Sequence, residues 1–326
     1  MRLFPWIGTA LLFAMTAACG QDRGPLSAPV SDGMDMWQGG EWDGDLPAPP
    51  FSINNVMYLQ GPVMDQPNPT INILWYGDWS QYGAAQKVIL DFLKDLKGTP
   101  YWNIPHGWKA TPQNTLGFET GLPMPGRVST GFRYGGSYDD HYSRGRALTV
   151  RDVAMIVDIA TSNNVLNVAD PNDPNSIWLV LPSPDVSDDS GFCGYHDLLF
   201  PFLDGGVGTA KYAFVATRQT VAGGCAPANR VVSPNDNPMA DAMANIIAHE
   251  LAETLTDPNP IFTAWTSLSF PGEIADHCNF RFGPTYRTAN GAIANMKLGA
   301  HDYLLQELLV PTVPQTCAKV APPDSE

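Results

Sequence analysis

A chain of 326 residues is long enough for one large domain or two small ones. Its formal charge is −15, with 18 Lys and Arg against 33 Asp and Glu and no basic cluster anywhere. That balance excludes nucleic acid and anionic lipid as charge-driven partners, and an acidic surface otherwise serves solubility.

Behind Arg2, residues 3–18 form an apolar run shorter than the ~20 residues of a membrane span. The run ends Thr16-Ala17-Ala18-Cys19-Gly20, small residues leading into a cysteine, as in a bacterial lipoprotein signal. This predicts a signal peptide over 1–18, cleavage before Cys19 and a lipid anchor on that cysteine. An ordinary secretory signal would leave Cys19 incidental. With no aspartate after Cys19, the destination reads as the outer membrane of the cell envelope. Residues 19–50 are acidic and rich in Gly and Pro, the composition of a disordered tether. Trp37 and Trp42 stand out there as residues able to dock locally.

Residues 51–326 read as a single large domain with no internal repeat. Thr70–Tyr76 (TINILWY) predicts a buried strand, and Gly83–Leu96 an amphipathic helix. Val128–Tyr134 reads as a strand. Thr149 caps a helix to about Ala160. Ile177–Leu181 and Lys211–Thr217 are further strands. Asn237-Pro238 is an N-cap followed by proline at the first helical position of a helix running to about Leu255. Asn290-Gly291 marks a hairpin turn within Thr285–Leu298, and Tyr303–Val310 a last strand. Strands alternating with helices predict an α/β fold, a zincin-like mixed sheet with packed helices.

The helix before Pro258 carries His249-Glu250-Leu251-Ala252-Glu253. His249 and Glu253 are one turn apart on one face. The pattern is that of a zinc hydrolase helix, H-E-x-x-H, with glutamate for the second histidine. A helical Glu-x-x-Glu is ordinarily a solvated face. Here the flanking residues are almost all small or apolar, so the charges are expected to be buried and to need partners. The reading makes His249 and Glu253 ligands of a divalent metal and Glu250 the base for a bound water. Glu273 is the expected third ligand, Asp276 an orienter of His249, and His277 an alternative ligand or a residue beside a disulfide. One histidine with two carboxylates acidifies bound water less than two histidines do. Zinc is the first choice, but the set also suits calcium or manganese.

Downstream of Cys19 stand Cys193, Cys225, Cys278 and Cys317. An even count in an exported chain predicts two disulfides with three possible pairings, and order along the chain favours Cys193–Cys225 with Cys278–Cys317.

Several stretches together resemble the EXORDIUM, or phosphate-induced, protein family. They are Ile71-Asn72-Ile73-Leu74-Trp75-Tyr76-Gly77, Gly191-Phe192-Cys193 with Gly194 and His196, and Lys211-Tyr212-Ala213-Phe214. The HELAE run follows, then Asn259-Pro260 with Ala264-Trp265, Glu273-Ile274 with Asp276 and Cys278, Tyr303-Leu304-Leu305-Gln306, and Cys317. The resemblance implies export; plant members are apoplastic and linked to growth, with no biochemical activity to carry over. The chain departs from the plant pattern in its lipoprotein-type signal, its fewer cysteines and Thr256-Asp257-Pro258. The resemblance also draws in His196, either as an active-site contact or as a packed residue beside the disulfide.

The expectation is an exported, lipid-anchored metal-dependent hydrolase acting on a peptide or envelope polymer. The alternative is a non-catalytic envelope protein, its ion or hydrogen-bond network structural, binding a polymer through aromatics such as Tyr101, Trp102 and Trp108.

Overall fold

The strand expected at TINILWY forms as Thr70–Tyr76 (β1), and every residue of it is buried. The computed structural model describes residues 55–112, 114–116, 124–199, 210–217, 224–226, 232–268 and 272–322. The expected signal, Cys19, and the tether with Trp37 and Trp42 lie outside them. β1 pairs with Arg133–Asp140 (β2) on one side and Ser176–Pro182 (β3) on the other. Gly194–Leu198 (β4) and Lys211–Val215 (β5) complete a five-stranded sheet in the order β2-β1-β3-β5-β4. Four strands are parallel, and β4 runs antiparallel to β5. A parallel sheet is covered on both faces, which is why β1 and β3 read as nearly unbroken apolar runs.

Alternation along β1 divides the core in two. Ile71, Ile73 and Trp75 face helices Gly83–Leu96 (α1) and, beyond it, Pro238–Thr256. Leu74 and Tyr76 face the opposite core, which is covered by helix Val150–Ser162 (α2). Thr149 and Asp152 close a reciprocal capping box at the start of α2. The helix at Pro238–Thr256 (α3) starts as its sequence predicts, with Asn237 Oδ1 accepting from the Ala240 N–H at 3.1 Å. Every residue from Ala240 to Thr256 is buried, so α3 has no solvent face. Asn237→Ala should therefore lower stability by about 1 kcal/mol, read as a lower urea midpoint at unchanged slope. An unchanged midpoint would show that Pro238 and packing alone fix this end.

The fold is one α/β domain, and several elements differ from expectation. The strand expected at Val128–Tyr134 starts at Arg133 instead and runs through polar, mostly exposed RYGGSYDD. β4 had no apolar signature. Tyr303–Val310 is not one strand but two, His301–Tyr303 and Leu308–Val310, because the residues between them turn in towards α3. The hairpin at Asn290-Gly291 forms, pairing Tyr286–Arg287 with Ile293–Ala294. Tyr101, Trp102 and Trp108 form no exposed patch: each is about fully buried, and Trp108 Nε1 donates to the Leu309 carbonyl at 3.1 Å. The disulfides are Cys193–Cys225 and Cys278–Cys317, bonds that belong to an oxidising compartment outside the cytosol.

Candidate metal centre

β4 crosses α3 at very short range because of Gly194. A Cβ there would meet Glu250 Oε1 at 2.7 Å and Ile246 Cγ2 at 2.7 Å. His196 is two residues on, hence on the same face of the strand, and reaches the same helix. The third wall is Glu273–Cys278, tied to the last strand by the Cys278–Cys317 bond. Its Ala275 and Asp276 N–H groups donate to Glu253 Oε1 at 3.1 and 3.0 Å. Seven ionisable side chains meet here: His196, His249, Glu250, Glu253, Asp257, Glu273 and Asp276, all buried.

They form two groups that share Glu253. In the first, His196 Nδ1 lies 3.5 Å from Glu250 Oε2 and 3.9 Å from Glu253 Oε2. In the second, His249 Nε2 lies 3.2 Å from Glu253 Oε2 and 3.5 Å from Asp276 Oδ1. Donors on a tetrahedral ion with bonds near 2.0–2.2 Å stand roughly 3.3–3.6 Å apart. The second group lies close to that spacing; the first is wider, and its donors would have to draw in by a few tenths of an ångström to close on an ion.

Hydrogen bonding distinguishes them. His196 Nε2 donates to the Asp257 carbonyl at 3.1 Å, the bond that steers a histidine's other nitrogen to a metal. Neither oxygen of Glu250 has a hydrogen-bond partner among the described residues, and neither does His196 Nδ1. His249 Nε2 is in the same position towards its carboxylates, so the groups differ at the other ring nitrogen, which faces a carbonyl in His196 and the Gln306 amide in His249. A buried carboxylate so placed costs several kcal/mol unless a cation faces it, and either a protonated His196 or a divalent ion in its place would supply that charge. The residues fit a divalent ion, and the first group fits it best.

Burial lowers the His196 pKa, but Glu250, Glu253 and Asp257 outweigh it and push it up to about 9. Burial, with Glu253 beside it, pushes Asp276 up to about 8 against the pull of His249. Burial likewise pushes Asp257 to about 7, although the Ala264 N–H pulls the other way. Burial raises Glu250, and it raises Glu273 far above its usual range, helped by Glu253, Asp257 and Asp276. Glu253 alone goes down: burial opposes its charge, but His249 and His196 overcome that.

The sign of the pH dependence follows. Stripped of any ion, the folded protein holds protons that the unfolded chain has released, so stability falls as pH rises. The window runs from 3.8 to about 8 for the two aspartates and from 6.5 to about 9 for His196. Glu253 works oppositely, but only below its ordinary 4.5. The stripped protein should melt at a higher temperature at pH 5 than at pH 8, and an added divalent ion should narrow the gap. A Tm that climbs over that range would contradict the charge distribution.

The sequence-predicted residues are thus brought together, but not in the expected grouping. Asp276, not Glu273, stands with His249 and Glu253. Glu273 stays beside the Glu253 carboxylate, and its Oε2 lies 3.6 Å from His196 Nε2. Asp276 sits on the Nε2 side of His249, where a ligand or acceptor belongs. The Nδ1 side is taken by Gln306 Nε2 at 3.1 Å. His277 belongs to neither group, and its Nε2 meets Ser267 Oγ at 3.3 Å. Sequence reasoning gave no role to Asp257 or Gln306. No local signal marks either, because both act through contacts that exist only in the fold.

The family model described as "Phosphate-induced protein 1 conserved region" matches residues 56–303. Protein EXORDIUM-like 3 of Arabidopsis thaliana is 31% identical over 252 residues, which cover 71% of this chain and 71% of the relative. Protein EXORDIUM-like 5 of the same plant is 28% identical over 254 residues, covering 71% and 66%. No solved structure matches.

Proposed function

Since the chain belongs to the phosphate-induced protein 1 family and carries two disulfides, we propose that it is an exported protein whose buried centre takes a divalent metal and hydrolyses a peptide or envelope polymer. The signal-like segment ending at Cys19 supports a lipid anchor there, in the outer membrane of a bacterial envelope. Zinc is the first choice of ion, with calcium or manganese as alternatives.

The observation that carries this reading is at His196. Its Nε2 is committed to a backbone carbonyl, while its Nδ1 and both Glu250 oxygens lack hydrogen-bond partners among the described residues. His196, Glu250 and Glu253 would hold the ion. Glu250 is then a ligand, not the base that the H-E-x-x spacing suggests, because its carboxylate faces His196 Nδ1. A bound divalent ion would supply Lewis acidity and an acidified water. The chain supplies the rest. Backbone N–H groups of Ala275 and Asp276 fix Glu253. Burial raises the pKa of Glu273, which is also the least buried of the seven groups, a placement suited to protonating a leaving group.

The test is ion titration of stripped wild type and Glu250→Gln, with turnover of a peptide library and envelope polymers read alongside. Wild type should bind about one ion and depend on it for turnover, whereas Glu250→Gln should lose at least about a hundredfold in affinity. If Glu250→Gln keeps the ion and loses turnover, Glu250 is the base and this ligand set is wrong. Binding without turnover would favour a second reading, a structural ion, which the near-complete burial of every donor also supports. No binding would remove the metal altogether.

A further inference from the structure

Gln306 lies in the bend between His301–Tyr303 and Leu308–Val310 and is fully buried. Its backbone N–H donates to Asn245 Oδ1 at 2.6 Å, which pins the bend to α3 one turn before His249. Its side-chain Nε2 donates to the Ala275 carbonyl at 2.9 Å and faces His249 Nδ1 at 3.1 Å.

In the neutral ring, these contacts fix where the His249 proton is. An amide nitrogen only donates and a backbone carbonyl only accepts. Turning the amide over would set Gln306 Oε1 against the Ala275 oxygen, so the NH₂ must be the end that faces both Ala275 and His249. An NH₂ facing Nδ1 requires Nδ1 to accept. The ring proton is then on Nε2, between Glu253 Oε2 at 3.2 Å and Asp276 Oδ1 at 3.5 Å. A nitrogen that carries a proton has no lone pair for a metal.

We infer that Gln306 is a positioning residue that fixes His249 in the Nε2–H tautomer. It thereby turns the His249 proton towards Glu253 and Asp276, and confines the ion to His196, Glu250 and Glu253. Only the last clause rests on the metal reading. Without Gln306, the motif histidine and Asp276 would complete a second ion group that shares the Glu253 oxygen with the first. One amide therefore decides whether this centre holds one ion or two.

The experiment uses the full chain, stripped of metal and labelled with ¹⁵N-histidine, in long-range ¹H–¹⁵N correlation spectra, with His249→Asn to assign the ring. Wild type should show Nε2 protonated and Nδ1 bare. Gln306→Glu puts an acceptor opposite Nδ1, so the proton should move to Nδ1, and zinc stoichiometry should rise from about one to about two per chain. Gln306→Met keeps the volume without a donor and should populate both tautomers. A wild-type Nδ1 that carries a proton overturns the inference. So does a folded Gln306→Glu or Gln306→Met chain whose His249 stays wholly Nε2–H, the result expected of a merely structural glutamine. If Gln306→Glu does not fold, Gln306→Met decides alone. If wild type shows the expected tautomer but binds no zinc, the metal reading falls and the role of Gln306 in setting the tautomer stands.

Discussion

His196→Ala should cost the protein its divalent ion, with affinity falling by more than about a hundredfold, whereas His249→Ala should cost only about ten- to a hundredfold. The ranking is the opposite of what the H-E-x-x-E motif suggests, since the motif histidine is the obvious ligand. It follows from the two rings' hydrogen bonds. His196 gives its Nε2 proton to the Asp257 carbonyl and turns Nδ1 to Glu250 and Glu253. His249 is met at Nδ1 by an amide donor and keeps its proton on the carboxylate side. Removing His249 loosens Glu253 but leaves the ion's donors in place. Competition with a chromophoric chelator measures both affinities. If His249→Ala is the more damaging, the ion sits in the His249–Glu253–Asp276 group.

The Cys278→Ser/Cys317→Ser double variant should lose roughly 4 kcal/mol of stability, the loop-closure entropy of a bond spanning 39 residues. The midpoint of urea unfolding under non-reducing conditions reads it. This bond should matter to the centre as well as to the chain. Cys278 ends the short helical turn Asp276–Cys278, two residues after the second of the two N–H groups that hold Glu253 Oε1. Ion affinity should therefore fall with stability. A loss below about 1 kcal/mol with affinity intact would mean that packing around Ile274 and Leu309 holds the turn without the bond.

What the sequence made legible is what is encoded locally. α3 announces itself through Asn237-Pro238, a surround of almost all small or apolar residues and a stop before Pro258. β1 and β3 do so through apolar runs that only a doubly covered strand tolerates. β4 was not legible: Gly194–Leu198 has no apolar alternation, and its strand character comes from pairing with β5. The site divides the same way. His249, Glu250 and Glu253 were visible as helical spacing. That Asp276 approaches His249 while Glu273 approaches His196 depends on how one turn packs beneath α3, which spacing does not record. In the sequence Gln306 belongs only to a family-like stretch, since nothing in an isolated glutamine tells which histidine it will face.

β2 has a consequence of another kind. It ends the sheet, and beyond it no strand pairs among the described residues. The outer backbone groups of such a strand are a template on which a second chain can add, the first step towards fibrils. RYGGSYDD is badly suited to that. Arg133, Asp139 and Asp140 put charge at both ends, and Gly136 takes φ +136°, a break in the pleat. The register against β1 also shifts at Ile71/Asn72, which adds local twist. The features that hid this strand from a search for hydrophobic alternation are the ones that keep the open border of the sheet from recruiting copies of itself.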